Sequence, residues 1–208
     1  MPLFCEAFAP EARSMDAAAR AVVGAAENTL LAALHPQVAL AVWLREEPRH
    51  FARSLRPMRE GGAFRATGEG PPEAALDGLC TQLPDGAPAE FLTDIFRLAT
   101  LFGALTRSET VRLRLEGITG DACRKFHVDA VGYRMLVTYA GPGTQWVMGD
   151  DPEIAASPEQ IPRCAVALFR GRRRPGGHAL HRSPPLSDLP EAQRWRLLLC
   201  IDEPEPTP

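Results

Sequence analysis

The chain has 208 residues, 45% of them hydrophobic and 24% charged, with a formal net charge of −3. That length suits one domain with a sizeable core, and the near-neutral balance gives no general reason to expect nucleic acid or an acidic membrane surface as a partner. No apolar run approaches the ~20 residues needed to span a bilayer, and the N-terminus M-P-L-F-C-E-A-F-A-P carries an acid and no basic region, so it does not read as a secretory signal; the expectation is a cytoplasmic protein.

In chain order, the first 15 residues read as a loose lead-in. Residues 15–34 are alanine-rich with Asp16 placed to cap, and predict a helix that ends at His35-Pro36. Residues 37–45, Q-V-A-L-A-V-W-L-R, predict a buried strand. Residues 48–72 read as mostly loop with a short helical turn, residues 73–79 as a short helix, and P-D-G-A-P at 84–88 as a break. Over 89–105, Phe91, Leu92, Ile95, Phe96, Leu98, Ala99 and Phe102 recur at helical spacing, so one face of a helix meets a core. The strict alternation T-V-R-L-R-L-E-G at 110–117 predicts a half-exposed strand, followed by a turn at 119–121.

Further strands are predicted at 131–140, 144–148, 164–169, 179–183 and 194–202. Between them come G-P-G (141–143), an acidic loop (149–163), the basic turn R-G-R-R-R-P-G-G (170–177) and a proline-rich loop; residues 203–208 read as a disordered tail. Helices thus dominate the first half and short strands the second. The expected fold class is α+β in a single domain over 1–208, with mainly helical scaffold (15–105) packed on a C-terminal β-sandwich or small barrel (110–202).

The chemistry concentrates around F-H-V-D. His127 and Asp129 stand two apart at the head of the strand predicted over 131–140, where i and i+2 point the same way. An imidazole and a carboxylate converging on one side lack only a third ligand to form a 2-His-1-carboxylate metal site. His181 is the favoured third ligand, because R-S-P-P takes the chain off its strand just after it; His178, three residues earlier, faces the other way on a strand and follows the turn P-G-G. Cys123, four residues before His127, opens an alternative in which thiolate, imidazoles and carboxylate hold Zn²⁺. The five cysteines are otherwise scattered and form no C-x-x-C, which argues against a disulfide framework or a cysteine-rich zinc site. Arg194 and Arg196 share one face of the last strand and suit bidentate binding of a carboxylate, while Thr138 and Tyr139 are candidates to hydrogen-bond a co-substrate. Tyr133, Gln145 and Trp146 are candidate pocket residues. The basic run Arg170, Arg172, Arg173, Arg174 lacks interleaved aromatics and reads as a solvated hairpin rather than a nucleic-acid surface.

The order H-x-D, strand, G-P-G turn, buried strand, His, loop, Arg resembles that of the Fe(II)/2-oxoglutarate-dependent oxygenases, over roughly residues 110–202. The resemblance implies a double-stranded β-helix (a jelly-roll, cupin-like barrel), catalytic metal ligands His127, Asp129 and His181, and Arg194 or Arg196 gripping a carboxylate of 2-oxoglutarate. It also implies Fe(II) and 2-oxoglutarate as cofactors and hydroxylation of a substrate, small molecule or protein, that the sequence leaves open. A second resemblance spans most of the chain. F-H-V-D, L-V-T-Y-A-G-P-G-T-Q-W, H-R-S-P-P and R-L-L-L-C-I-D are similar to motifs of a bacterial family of unknown function, domain of unknown function 1826, which brings no established activity. The alternative expectation is a non-catalytic zinc-binding protein of metal homeostasis on the same barrel, with Cys123 as fourth ligand.

Overall fold

The structure, a computed structural model, describes residues 19–121, 123–149 and 158–204. The expected lead-in, residues 150–157 of the acidic loop and the last four residues lie outside that range. Among the described residues two sheets organise the fold. The larger has seven strands in the order β1-β2-β8-β5-β10-β4-β3, and the smaller has three in the order β7-β6-β9. Their ranges are β1 Arg20–Gly24, β2 Val38–Trp43, β3 Phe64–Gly70, β4 Val111–Ile118, β5 Tyr133–Ala140, β6 Gln145–Met148, β7 Glu159–Gln160, β8 Val166–Arg170, β9 Ala179–Arg182 and β10 Arg196–Asp202. β1 and β2 run parallel and every other pairing is antiparallel, so the large sheet is mixed.

Among the described residues four α-helices accompany them: α1 Phe51–Ser54, α2 Arg56–Glu60, α3 Pro72–Cys80 and α4 Ala89–Thr106. α4 forms where the sequence periodicity placed it and buries Phe91, Ile95, Leu98 and Phe102, one stripe along its length. Each fully buried side chain of that kind stabilises by roughly 1.5–3 kcal/mol.

The alternation of side chains on β5 and β10 divides the core in two. Tyr133, Met135, Val137 and Tyr139 of β5, with Leu197, Leu199 and Ile201 of β10, join the α4 stripe in one cluster. Leu136 of β5 and Leu198 and Cys200 of β10 face the other way, and pack with Ala167 and Phe169 of β8, Trp146 of β6 and Ala179 of β9. This second cluster lies on the face of the large sheet that meets the small one, and the polar residues of interest share that face.

The first half of the chain departs from expectation. Residues 19–34 are not one helix: Arg20–Gly24 is a strand beside β2, and only Glu27–Leu34 is helical, as a 3-10 helix. Pairing with a fully buried strand overrides the alanine-rich propensity, and the β-branched Val22 and Val23 suit the strand. Within 48–72, read as mostly loop, the chain forms α1, α2 and the edge strand β3. Gly68 of β3 lets α3 approach closely, since a Cβ there would overlap the Ala75 carbonyl. So 19–105 supplies three strands of the large sheet as well as the helices. Among the described residues no helix is long and apolar enough to cross a membrane.

Candidate metal centre

His127 does not sit on β5, which begins only at Tyr133. It lies in the approach to that strand and pairs with β9 instead. The His127 amide donates to the His181 carbonyl at 3.1 Å and the His181 amide returns a bond to the His127 carbonyl at 3.0 Å, an isolated antiparallel bridge. The same approach is pinned from its other side, where the Arg172 amide donates to the Asp129 carbonyl at 2.9 Å and the Arg173 amide to the Val131 carbonyl at 3.0 Å. Residues 54 apart in sequence are thereby set opposite each other, and backbone rather than side chains holds the register.

That framework brings His127, Asp129 and His181 together, with one ligand atom from each lying within 4.8 Å of the others. His127 Nε2 is 3.6 Å from Asp129 Oδ1, and His181 Nε2 is 2.9 Å from Asp129 Oδ2. Asp129 Oδ2 and His181 Nδ1 are both buried, and among the described residues neither makes a hydrogen bond of good geometry. His127 Nδ1 lies 2.9 Å from the Lys125 carbonyl oxygen, which can only accept. Nδ1 therefore carries a proton, which leaves Nε2, on the side of the carboxylate, as the atom a metal would meet, the arrangement a metal-binding imidazole uses. The ring of Phe169 lies 4.4 Å from that of His181, centroid to centroid, and holds it from the apolar side.

Arg134 stands behind the carboxylate. Its Nη1 donates to Asp129 Oδ1, while Nε and Nη2 donate to Asp202 Oδ1 and Oδ2 at 2.7 and 2.6 Å. Arg134 and Asp202 face each other across the β5–β10 pairing. Burial pushes the Asp129 carboxyl up, but the two imidazoles and Arg134 outweigh it and hold the group well below the ordinary carboxylate range. The carboxylate raises His127 above its ordinary value in turn, against the opposing effect of burial.

Arg196 is buried at 1% exposure on the same inner face. Its Nη1 donates to Ser183 Oγ at 2.8 Å, and its Nη2 to Thr138 Oγ1 at 3.1 Å and Thr144 Oγ1 at 2.7 Å. Its Nε has no partner. Among the described residues no carboxylate forms an ion pair with it, so burial pushes the guanidinium down, to about 10. A cation kept from water and given only hydroxyls is costly, and an incoming anion relieves that cost. Ser183 follows His181 by two residues, which ties this pocket to the triad through one short stretch of chain.

The other sequence-derived candidates fall elsewhere. Arg194 precedes β10, is exposed, and donates to the carbonyls of Leu189 and Ser187. Thr138 joins Arg196, but Tyr139, its neighbour on β5, occupies the opposite face. There Tyr139 packs edge-on against Phe91 and donates to Asp94 Oδ2 at 2.7 Å, so it shares nothing with the Arg196 pocket. Tyr133 takes that face too and donates to the Ala33 carbonyl. Trp146 is buried in the inner cluster, and Gln145 accepts from Arg182. Cys123 is exposed and outside the ligand cluster, and His178 Nε2 contacts the Gly171 carbonyl at 3.2 Å. Among the described residues nothing therefore supplies the fourth, thiolate ligand of a closed zinc site. The basic turn is not uniformly solvated: Arg170 is buried, donating to the carbonyls of Val38, Ala33, His35 and Pro175, whereas Arg172 and Arg173 are exposed. A cavity of about 890 Å³ lined by Leu55, Arg59, Tyr139, Pro142 and Trp195 includes none of the triad.

Sequence reasoning missed Arg134, Asp202, Ser183 and Thr144. A charged residue at 134 within the apolar run Y-R-M-L-V, with an acid closing R-L-L-L-C-I-D, was the available signal.

The donor set fits a divalent metal bound at an open site: two imidazoles, one carboxylate, an orphaned carboxylate oxygen and no thiolate. The fold is shared with oxygenases of known structure. The dioxygenase for auxin oxidation 1 from Arabidopsis thaliana, solved in complex with 2-oxoglutarate, superposes with a TM-score of 0.50 over 91% of this chain and 93% of its own, at 10% identity. A candidate oxygenase from Shewanella oneidensis gives 0.51 over 90% and 91%, at 13% identity. At such identities the likeness is one of fold, a mixed α/β arrangement built on a jelly roll. No curated protein matches the sequence. The profile of a protein family of unknown function, DUF1826, matches residues 25–202, and the chain belongs to that family.

Proposed function

We propose that this chain is a mononuclear Fe(II)- and 2-oxoglutarate-dependent oxygenase, a hydroxylase whose substrate is still to be found. In this reading residues 19–204 act as one unit, with the helices backing the major sheet of a double-stranded β-helix and the triad at its mouth. The observation that carries the proposal is Arg196: a buried guanidinium that bonds three hydroxyls, has an orphaned Nε and, among the described residues, no carboxylate at ion-pair distance, and that is reached from the metal ligand His181 through Ser183 two residues on. A metal site alone leaves that charge unexplained; a dicarboxylate that meets the metal at one end and Arg196 at the other accounts for both.

His127, Asp129 and His181 would hold the metal through three protein atoms and leave its remaining positions open. Arg196 would bind the far carboxylate of 2-oxoglutarate bidentately, with Thr138, Thr144 and Ser183 orienting the guanidinium. Bound together, the metal and the 2-oxo acid would supply the reduction of O₂ that hydroxylation of a C–H bond requires. The protein's own part is to fix the ligands, neutralise the co-substrate and keep water out. Leu136, Leu198, Trp146 and Phe169 line the inner cluster beside these groups.

Anaerobic titration tests the reading. Adding Fe(II) and then 2-oxoglutarate should raise a visible metal-to-ligand charge-transfer band that is absent with either alone and lost in His181→Ala. Tight Fe(II) binding with no band on adding 2-oxoglutarate would overturn it.

A further inference from the structure

We infer that Arg134, held in place by Asp202, is the positioning residue that confines Asp129 to coordination through a single oxygen. The inference rests on the metal centre of the preceding proposal and concerns how the chain keeps that centre open. Three observations support it.

The first is how the two Asp129 oxygens are divided. Oδ1 accepts from Arg134 Nη1, while Oδ2 lies toward His181 Nε2, buried and without a hydrogen-bond partner. A metal meeting this carboxylate has one oxygen free and one already committed. Rotating the carboxylate to offer both would break a charge-assisted bond in a site shielded from water.

The second is that Arg134 cannot readily follow such a rotation. Its other two donors close a fork onto both oxygens of Asp202, at 2.7 and 2.6 Å. Asp202 is itself 4% exposed, pairs with Arg134 through strand register, and takes a further contact from Cys200 Sγ at 3.5 Å. The guanidinium is therefore aimed by the sheet, not by the ligand loop it supports.

The third is charge. Asp129 and Asp202 contribute two negative charges against the one positive charge of Arg134, and the imidazoles are neutral when they ligate. Within the Asp129–Arg134–Asp202 trio negative charge exceeds positive, and a divalent cation at the triad would offset that excess. Without Arg134 the same cation would face two uncompensated carboxylates and would draw in both oxygens of Asp129, closing a position the reaction needs.

The test is binding of Co(II), a divalent probe whose visible spectrum reports coordination number. It is read by chelator competition and by absorption on Arg134→Gln, Arg134→Lys and Asp202→Asn. Arg134→Gln should shift the Co(II) spectrum as Asp129 turns bidentate and, with a positive charge gone and a ligand oxygen gained, should hold Co(II) at least as tightly as the wild type. Asp202→Asn, which keeps the cation but loosens its aim, should shift the spectrum in the same direction and less far. Arg134→Lys should return the spectrum in part, restoring the charge without the fork.

An unchanged spectrum in folded Arg134→Gln would overturn the inference. Should that variant not fold, the same result in Asp202→Asn overturns it. Co(II) binding to the wild type without a charge-transfer band for Fe(II) and 2-oxoglutarate would sink the oxygenase reading alone. No Co(II) binding to the wild type would sink both.

Discussion

Two arginines stand on the inner face of the same sheet, the buried Arg196 on β10 and the half-buried Arg134 on β5 beside the other end of β10, and their surroundings are opposite in kind. Arg134 meets Asp202 at one end and reaches Asp129 as well, so every donor it turns inward ends on a carboxylate. Arg196, at the other end, donates to three hydroxyls and, among the described residues, to no carboxylate. Burial lowers both guanidiniums; at Arg134 the Asp202 carboxylate outweighs it and the group is raised, whereas at Arg196 burial prevails. A guanidinium whose charge is matched within the fold belongs to the architecture. In the proposed function, the one left unmatched is the group that meets an anion arriving from outside.

The sharpest way to break this comparison is to remove each cation and weigh the metal-free fold. Arg134→Met strands the buried Asp202 and the partly buried Asp129 beside each other, and losing one partner of a buried ion pair costs about 3–5 kcal/mol. Thermal or urea unfolding of the apo protein should show that loss. Arg196→Met should leave the fold as stable as before or slightly more so, since it replaces an uncompensated charge by an apolar chain of similar length. Its cost should appear in 2-oxoglutarate binding, weakened by roughly 2–5 kcal/mol, the range for truncating one partner of a buried charge pair. Equal destabilisation by the two variants would show that Arg196 is structural and that the contrast is mistaken.

A smaller effect sharpens the Arg196 side. Thr138→Val keeps the shape of the side chain and deletes one of the three hydroxyls that orient the guanidinium. The expected loss in 2-oxoglutarate affinity is about 1 kcal/mol, the worth of one hydrogen bond, with metal affinity unchanged by the same titration. Loss of metal binding instead would mean that Thr138 supports the triad and not the anion pocket.

The strongly periodic and strongly bounded elements were legible in the sequence. α4, α3, β2 and β4 lie within a residue or two of their expected limits, because helical spacing and alternation are local signals. β1 and β3 were not legible, since each is a strand only through its partner: β1 beside buried β2, and β3 as an edge on β4 with a glycine making room for α3. At the candidate centre, the i, i+2 spacing pointed to His127 and Asp129, but the reason they converge is the bridge to His181, a pairing across 54 residues that no local pattern encodes. Arg134 and Asp202 were hidden for the same reason. Each looks like a stray charge until strand register sets them face to face.

Thr138 and Tyr139 carry the narrowest form of the comparison. Both were offered by the sequence as co-substrate contacts, yet neighbours on a strand point to opposite faces, so at most one can serve that pocket. The structure turns Thr138 to Arg196 and Tyr139 to Phe91 and Asp94. Tyr139→Phe removes the O–H bond to Asp94 but leaves the two-point pairing of Arg45 with that carboxylate, at 2.6 and 3.0 Å, so Asp94 stays partnered. Stability should fall by about 1 kcal/mol, one buried hydrogen bond, and 2-oxoglutarate affinity should not change. Should Tyr139→Phe weaken 2-oxoglutarate while Thr138→Val does not, β5 presents the reverse face to the pocket. The pairing of Arg134 with Asp202 on that face would then have to be given up too, because alternation along one strand carries both assignments.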